Sequence, residues 1–162
     1  MATQRIDPDE WRIVDELYKP LHRFAAVTAP ADLEPDDLLQ EALVMVLRRG
    51  PLSQLEQPGA YLRQTMVNLA ASHNRRMGRR HRALARVWGS QDQAPSPEYP
   101  SDLAELYLLP PRERAALYLA EVEGYSFREV GRLLGCSEAA ARKGASRGRQ
   151  RLRVALAGEE SP

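Results

Sequence analysis

The chain has 162 residues, of which 43% are apolar and 28% charged, and its formal net charge is +1. This length fits one medium domain or two small ones, and the apolar fraction is enough to bury cores. The sequence offers neither an apolar run long enough to cross a bilayer nor the features of a secretion signal at the N-terminus. Its single cysteine, Cys136, excludes an internal disulfide and a cysteine-rich zinc site, so we expect a reducing, cytoplasmic setting.

The small net charge conceals segments of opposite sign. Residues 1–50 hold 6 basic and 10 acidic side chains, whereas residues 51–83 hold 6 and 1. Residues 84–110 hold 1 basic and 4 acidic side chains, and residues 111–162 hold 10 and 7. Two basic segments separated by an acidic one indicate two separate contacts with nucleic acid. The acidic first segment is expected to face a different partner, such as a basic protein surface.

The first half of the chain has the apolar periodicity of helices. The first apolar stripe consists of Val14, Leu17, Tyr18, Leu21, Phe24 and Ala25. Pro20 is predicted to kink or divide this helix. A second stripe follows Pro35 and ends at Gly50, and a third helix is predicted after Pro58. Three amphipathic helices with short loops predict a compact all-α unit.

A change in composition separates the two halves of the chain. Residues 84–101 contain Pro95, Pro97 and Pro100 together with serine and glycine, which is typical of an extended linker. Two more helical segments, 102–109 and 111–123, follow it. The sequence therefore predicts an all-α protein with two small helical domains, residues 1–83 and 102–158, joined by a Pro-rich linker.

The segment from Ser126 onward predicts two short helices joined by a tight turn. Ser126 and Glu129 form a capping box, and Gly135 can adopt the left-handed conformation that ends a helix. Ser137 is a suitable cap for the second helix. The predicted inward face of that helix is Ala141, Ala145, Gly148, Leu152 and Leu156.

Most of the local positive charge lies on the second of these helices. Its basic residues are Arg142, Lys143, Arg147, Arg149, Arg151 and Arg153, against one acid, Glu138. This arrangement is typical of a helix-turn-helix that lays its recognition helix in a major groove. The alternative is an ordinary helical hairpin with a solvated basic face.

Enzyme chemistry has little support in the sequence. The three histidines, His22, His73 and His81, lack metal-ligand spacing. The sequence contains neither a Gly-rich phosphate loop nor a Gly-x-Ser-x-Gly elbow. We therefore predict a DNA-binding protein that is not an enzyme and uses neither a metal nor another cofactor.

Three segments, taken in order, resemble the bacterial RNA polymerase sigma factors of the extracytoplasmic-function (ECF) group. LPPRERAALYLAEVEGYSFREVGRLLGCSEAAARKGASRGRQRLR resembles the promoter-binding region four of that family. DDLLQEALVMVLRR resembles the region-two helix that grips core RNA polymerase, and PGAYLRQTMVNLAASHNRRMGRR resembles the helix that reads the minus-ten element. The resemblance implies a protein that binds the β′ clamp helices and β flap of core polymerase and directs transcription initiation at promoter DNA. It also implies an anti-sigma factor as a partner, and the sequence predicts no membrane partner.

The resemblance also implies roles for residues of the first domain. The clamp-binding face comprises Asp37, Gln40 and Glu41, which share one face of a helix at i, i+3 and i+4. The implied minus-ten contacts are Asn68, His73, Arg75, Arg76, Arg79 and Arg80. The arginines suit phosphate contacts, which fix register without reading sequence. A solvated polar face and a packing histidine are the respective alternatives for the clamp-binding face and His73.

Two further contacts follow from the resemblance. The loop from Arg49 to Gln57 matches the place where the family captures an unstacked base, with Gln54, Glu56 and Gln57 as hydrogen-bonding groups. The implied minus-thirty-five contacts are Ser126, Arg142, Lys143, Ser146, Arg147 and Arg151.

Two departures from the family pattern leave alternatives open. Gly144 stands where a large residue is usual and Gly148 where alanine is common, which predicts a recognition helix that is marginal by itself and is ordered by packing and by DNA or polymerase. One alternative is a sigma-like protein with weakened promoter binding. The other is a stand-alone helix-turn-helix regulator that acts without polymerase.

Overall fold

The computed structural model describes residues 7–88 and 105–159, and these ranges contain six α-helices, two short 3-10 helices and no strand. The α-helices are α1 (Pro8–Thr28), α2 (Pro35–Leu47), α3 (Pro58–Trp88), α4 (Pro111–Glu121), α5 (Phe127–Leu134) and α6 (Glu138–Glu159). The 3-10 helices are Leu52–Gln54, between α2 and α3, and Glu105–Leu108, before α4. The predicted all-α fold class is therefore confirmed.

Helices α1, α2 and α3 form the first unit of the fold. Pro35 occupies the first turn of α2, as predicted, where its missing N–H leaves no helical hydrogen bond unmade. The prediction that Pro20 divides α1 is wrong, because α1 continues through it. Leu21 and Phe24, just beyond the proline, are buried in the core and hold the C-terminal half of the helix in place. Tyr18, predicted to face inward, is exposed, and its hydroxyl donates a hydrogen bond to Asp36.

Helices α4, α5 and α6 form the second unit, in which α5 and α6 make the predicted helix-turn-helix. The side chain of Ser126 accepts from the N–H of Glu129 at 3.3 Å, and the Glu129 carboxylate accepts from the N–H of Ser126 at 2.8 Å. Gly135 ends α5 with φ of 68° and ψ of 38°, in the left-handed region. The Ser137 hydroxyl accepts from the N–H of Ala140 at 3.1 Å at the start of α6. The predicted caps are thus confirmed.

Gly131 is the residue that lets the two helices of the motif approach closely. A Cβ at this position would lie 2.7 Å from the carbonyl oxygen of Cys136, a backbone atom that cannot move aside cheaply. Gly144 in α6 differs, because its Cβ would lie 3.5 Å from the Cβ of Ala116, an ordinary contact.

This contrast gives a matched pair of substitutions. Gly131→Ala is expected to lower the free energy of unfolding by about 2 kcal/mol, because overpacking outweighs the gain in helix propensity. Gly144→Ala is expected to raise it by up to about 1 kcal/mol, since alanine favours the helix and its methyl group fits. Urea unfolding of the two variants measures both effects. Equal stability of the two variants would contradict this account of the turn.

The two units share one continuous hydrophobic core in this structure. Helix α3 packs against α4 and α5, and α1 packs against α4, so that Leu62 and Met66 belong to the same cluster as Leu119 and Val130. Gln64 of the first unit lies against Gly135 of the second. A Cβ on Gly135 would be 2.2 Å from the side-chain amide nitrogen of Gln64. The helix predicted to meet the minus-ten element is thus partly covered by the second unit.

A buried arginine joins the two units. Arg114 of α4 is only 2% exposed. Its guanidinium donates to the carbonyl oxygens of Val27 at 2.9 Å, Ala29 at 3.0 Å and Leu109 at 3.0 Å, and it lies over the ring of Tyr107. Burial lowers the pKa of Arg114 to about 10, so the group is still charged at neutral pH. Arg114 therefore binds the C-terminal end of α1 with a full positive charge.

The predicted linker is only partly described. Helix α3 extends to Trp88, so residues 84–88 are helical rather than extended. The prolines of the linker, together with residues 102–104 of the predicted helical segment 102–109, lie outside the described residues. Residues 105–108 form the 3-10 helix that leads into α4.

Candidate nucleic-acid and polymerase interface

The outer face of α2 carries the residues assigned to the polymerase clamp. Asp37, Gln40 and Glu41 are exposed, while Leu38, Leu39 and Ala42 on the opposite side are buried. Two apolar side chains continue the exposed face one turn further along, since Val44 is 47% exposed and Met45 is 36% exposed. Sequence reasoning missed this pair, although the spacing of three and four residues from Glu41 was a usable signal.

A pocket of about 270 Å³ with both polar and apolar walls lies between α2 and α3. It is lined by Met45, Val46, Arg49, Tyr61, Gln64, Thr65, Asn68, Leu69 and Ser72. The guanidinium of Arg49 donates to the Tyr61 hydroxyl at 3.0 Å. The pocket therefore combines an aromatic ring with hydroxyl, amide and guanidinium groups, the kinds of group that hold an unstacked base.

The loop predicted to capture a base runs beside this pocket. Gln54, Glu56 and Gln57 are exposed and do not line the pocket, which the loop enters only through Arg49. The sequence prediction thus placed the hydrogen-bonding groups on the loop and did not anticipate the wall of α3. Since α3 presents Tyr61, Thr65 and Asn68 at i, i+4 and i+7, helical spacing was a signal that could have found it.

The loop is anchored from α1 by Glu10. This carboxylate is only 4% exposed and accepts from the N–H of Leu52 at 2.6 Å and of Ser53 at 2.9 Å. Burial by itself would raise the pKa of Glu10, but these N–H groups and the Ser53 side chain outweigh it and hold the pKa below its ordinary value. Glu10 is therefore ionised at neutral pH although it is buried.

The predicted minus-ten residues of α3 have different surroundings. Arg75, Arg76, Arg79 and Arg80 are all exposed. Asn68 accepts a hydrogen bond from Arg112 of the second unit at 2.7 Å, and His73 lies 2.9 Å from the Asp32 carboxylate. In this structure the arginines are thus accessible to phosphates, while Asn68 and His73 are engaged within the chain.

The predicted minus-thirty-five residues also divide into two groups. Lys143, Ser146 and Arg147 are exposed on α6. Arg142 is exposed too, and its guanidinium is held by Glu138 at 3.1 Å and by the ring of Phe127. The remaining two are engaged within the second unit: Arg151 pairs with Glu113 of α4 at 3.0 Å, and Ser126 serves the capping box.

Gly148 of α6 has a packing role, in keeping with its predicted place on the inward face of the helix. A Cβ at Gly148 would lie 3.2 Å from the carbonyl oxygen of Glu113, so glycine lets α6 lie close on α4. Ala141 and Ala145 are buried on the same face, as predicted, whereas Leu156 is exposed and its predicted inward position is wrong. Leu156 lies near the C-terminal end of α6, about two turns beyond the close contact at Gly148. The recognition helix is therefore supported along its first half by close helix packing.

Residues 105–152 match the family model for region 4 of sigma-70 factors. The chain is 34% identical over 160 residues to the ECF RNA polymerase sigma factor SigE of Mycolicibacterium smegmatis, covering 91% of this chain and 60% of that protein. It is 35% identical over 132 residues to the RNA polymerase sigma factor CarQ of Myxococcus xanthus, covering 75% of this chain and 74% of CarQ. The chain belongs to the ECF sigma factors. The predicted family is thus confirmed, and these relatives are sigma factors by name rather than enzymes.

The fold of this sigma factor also has a solved counterpart. Its structure matches the sigma factor RpoE of Bartonella quintana, solved in complex with the anti-sigma factor NepR, with a TM-score of 0.65. The match covers 93% of this chain and 98% of that one at 23% sequence identity, which establishes a common fold.

Residues 7–88 and 105–159 contain no cluster of three or more histidine, cysteine or acidic side chains that could hold a metal ion. Among the same residues, none of the helices combines the length and apolarity needed to span a membrane.

Proposed function

We propose that this sigma factor binds core RNA polymerase through the outer face of α2. It directs the polymerase to promoters by means of two DNA-binding helices, α3 and α6. The observation that carries the proposal is the presence, on one chain, of an exposed acidic helix face and two exposed basic helices. Carboxylate and amide groups on α2 suit charge-assisted hydrogen bonds from arginines of the β′ clamp helices. Transcription in vitro with purified core enzyme, from a library of candidate promoters, tests the function directly.

The minus-ten element is the proposed ligand of α3. The arginines from Arg75 to Arg80 suit phosphates, while Asn68 and the pocket beside it suit a base taken out of the stack. The exposed polar side chains of the neighbouring loop include those of Gln54, Glu56 and Gln57. Because the loop runs beside the pocket, they can contact the flanking strand or a captured base. His73 can contact the minus-ten element once it is released from the Asp32 carboxylate.

The minus-thirty-five element is the proposed ligand of α6. Arg142→Ala and Arg147→Ala are each expected to lower promoter binding by the holoenzyme by about 1–3 kcal/mol, the range for a side chain that reads a base. Arg153→Ala, nearer the end of the helix, is the matched control and should cause a loss that is similar for all sequences and flattens the salt dependence. The measurement is holoenzyme affinity for cognate and scrambled minus-thirty-five sites at two salt concentrations. Equal losses on both sites for all three variants would show that α6 does not read bases.

The free chain is proposed to be a weak promoter binder. Arg112 occupies Asn68, and the second unit covers part of α3, whereas the α2 face stays exposed. Polymerase can therefore engage α2 first and then separate the units, so that the two DNA contacts act together. Fixing their distance in this way would raise avidity by roughly 10²–10⁴. A mobility shift on a cognate promoter, with and without core enzyme, measures this gain.

The second candidate function is a stand-alone helix-turn-helix regulator. The exposed recognition helix favours it, since α6 needs no other subunit to enter a major groove. Tight, sequence-specific binding by the free chain, without co-purification of core polymerase, would support this alternative.

Contacts with the β flap, regulation by an anti-sigma factor and action in the cytoplasm are parts of the sigma proposal that the family implies.

A further inference from the structure

We propose that Glu10 is a positioning residue for base recognition: it holds the 49–57 loop in the shape that presents Gln54, Glu56 and Gln57. This inference rests on the proposed function, because it assumes that the loop meets the opened strand. It concerns a residue of α1 that lies outside every segment assigned to DNA or polymerase.

Only Glu10 supplies the middle of the loop with hydrogen bonds from elsewhere in the described chain. The loop begins with the N–H groups of Arg49 and Gly50 bonded to Val46, and it ends with the N–H of Tyr61 bonded to Gln57. Between these ends, the backbone bonds within the loop are local: the N–H of Gln54 bonds to Pro51 and the N–H of Leu55 bonds to Leu52. The Glu10 carboxylate accepts the two N–H groups at its start. The middle of the loop is thus held by the burial of Leu52 in the core and by hydrogen bonds to one side chain, Glu10.

The Glu10 carboxylate satisfies a backbone donor, the N–H of Leu52, that belongs to a fully buried residue. Leu52 is fully buried, with 0% exposure, so its N–H would have no partner if the carboxylate were removed. A buried donor without a partner is strongly unfavourable, and the backbone would move to bring it to solvent. Ser53 and Gln54 follow directly in the chain and would move with it.

The loop is also connected to the pocket on α3 through its first residue. Arg49, its first residue, lines the pocket and donates to Tyr61. A shift in the short helix would therefore change both the exposed amides and the edge of the pocket. Recognition of a captured base depends on polar groups fixed in advance, because contacts made after ordering a loop are weaker.

The test uses the full chain reconstituted with core polymerase and promoters that carry each of the four bases at each position of the minus-ten element. The readout is the ratio of opening rates between the best and the worst base at each position. Gln54→Ala and Gln57→Ala test base capture by the loop itself. Glu10→Ala and the isosteric Glu10→Gln test the positioning role, and Glu16→Gln, exposed on the same helix, is the matched control. Hydrogen exchange of the Leu52 and Ser53 amides reports loop order independently of activity.

We expect Glu10→Ala to lower the discrimination ratio by about tenfold, the effect of losing one base contact. Glu10→Gln is expected to have a smaller effect, since its amide oxygen can still accept one hydrogen bond. Both should accelerate exchange of the two amides while affinity for core polymerase is unchanged, and a general loss of folding would lower that affinity too. If Glu10→Ala does not fold, Glu10→Gln alone decides the test.

The unfavourable outcomes are distinguishable. If the loop variants lower discrimination while the Glu10 variants match Glu16→Gln, Glu10 does not position the loop and base capture by the loop stands. If neither Gln54→Ala nor Gln57→Ala changes discrimination, the loop does not read the strand and the positioning role is overturned with it. Unchanged exchange of the Leu52 and Ser53 amides in the Glu10 variants would also overturn it.

Discussion

Charge reversal at the α2 face is expected to weaken binding to core RNA polymerase severely. Glu41→Lys or Asp37→Arg would place a cation against the basic surface that the face is proposed to meet, and such like-charge contacts cost several kcal/mol. We expect affinity to fall by at least 100-fold, which corresponds to about 3 kcal/mol. Both side chains are exposed, so the fold should tolerate the change. Affinity is measured by titrating labelled sigma factor with core enzyme.

Glu56→Lys is the matched control, because it makes the same change of charge at another exposed position, on the 49–57 loop. It should leave core affinity within about twofold of the wild-type value, as expected for a charge outside the contact. Unchanged core affinity in Glu41→Lys and Asp37→Arg, with normal helix content, would rule out α2 as the clamp-binding element.

Replacing the buried arginine between the two units is expected to open the free chain. Arg114→Met keeps much of the apolar volume but removes the guanidinium that bonds to Val27, Ala29 and Leu109. Hydrogen bonds to a charged group contribute about 1.5–3 kcal/mol each, and the carbonyls left behind must reach water. We expect the closed arrangement to weaken by about 3 kcal/mol, or roughly 100-fold in the ratio of closed to open molecules. Small-angle scattering would show a larger radius of gyration, and free-chain affinity for minus-ten DNA would rise.

Arg112→Met provides the comparison, since Arg112 is two residues away and also bonds across the units, to Asn68, but is exposed. Its effect on the closed arrangement should be below about 1 kcal/mol, as is usual for exposed polar contacts. If Arg114→Met keeps the wild-type radius of gyration and the wild-type affinity for minus-ten DNA, the interface does not depend on this arginine. Helix content measured by circular dichroism separates opening from unfolding.

Short-range features of the fold could be predicted from the sequence because their physics is local. The capping box of Ser126 and Glu129 spans three residues, and the left-handed turn at Gly135 depends on that residue alone. The buried faces of α2 and α5, which include Leu39, Ala42, Val130 and Leu134, repeat at helical spacing, a pattern that can be read within each helix. The same patterns, in order along the chain, carried the resemblance to the ECF sigma factors.

Features at the edges of helices were predicted less well. Tyr18 and Leu156 fit an apolar stripe by spacing, yet both are exposed, and Tyr18 directs its hydroxyl to Asp36 of α2. Gly144 and Gly148 predicted a recognition helix that is marginal by itself and ordered by packing, but only the close approach of Gly148 to the Glu113 carbonyl identifies α4 as the helix that packs against it. Spacing tells which residues share a face, but it does not tell how far the neighbouring helix extends.

What the sequence alone determined about this protein is its helices, its helix-turn-helix, the sign of each charged surface and its family. What only the tertiary structure decided is which polar groups meet across long separations. Glu10 reaches Leu52 over 42 residues, and Arg112 reaches Asn68 over 44. Such pairs leave no periodic signal, because their partners are chosen by how the helices pack rather than by spacing along one of them. For the same reason the packing of the second unit over α3, which we propose keeps the free chain closed, could be seen only in the folded molecule.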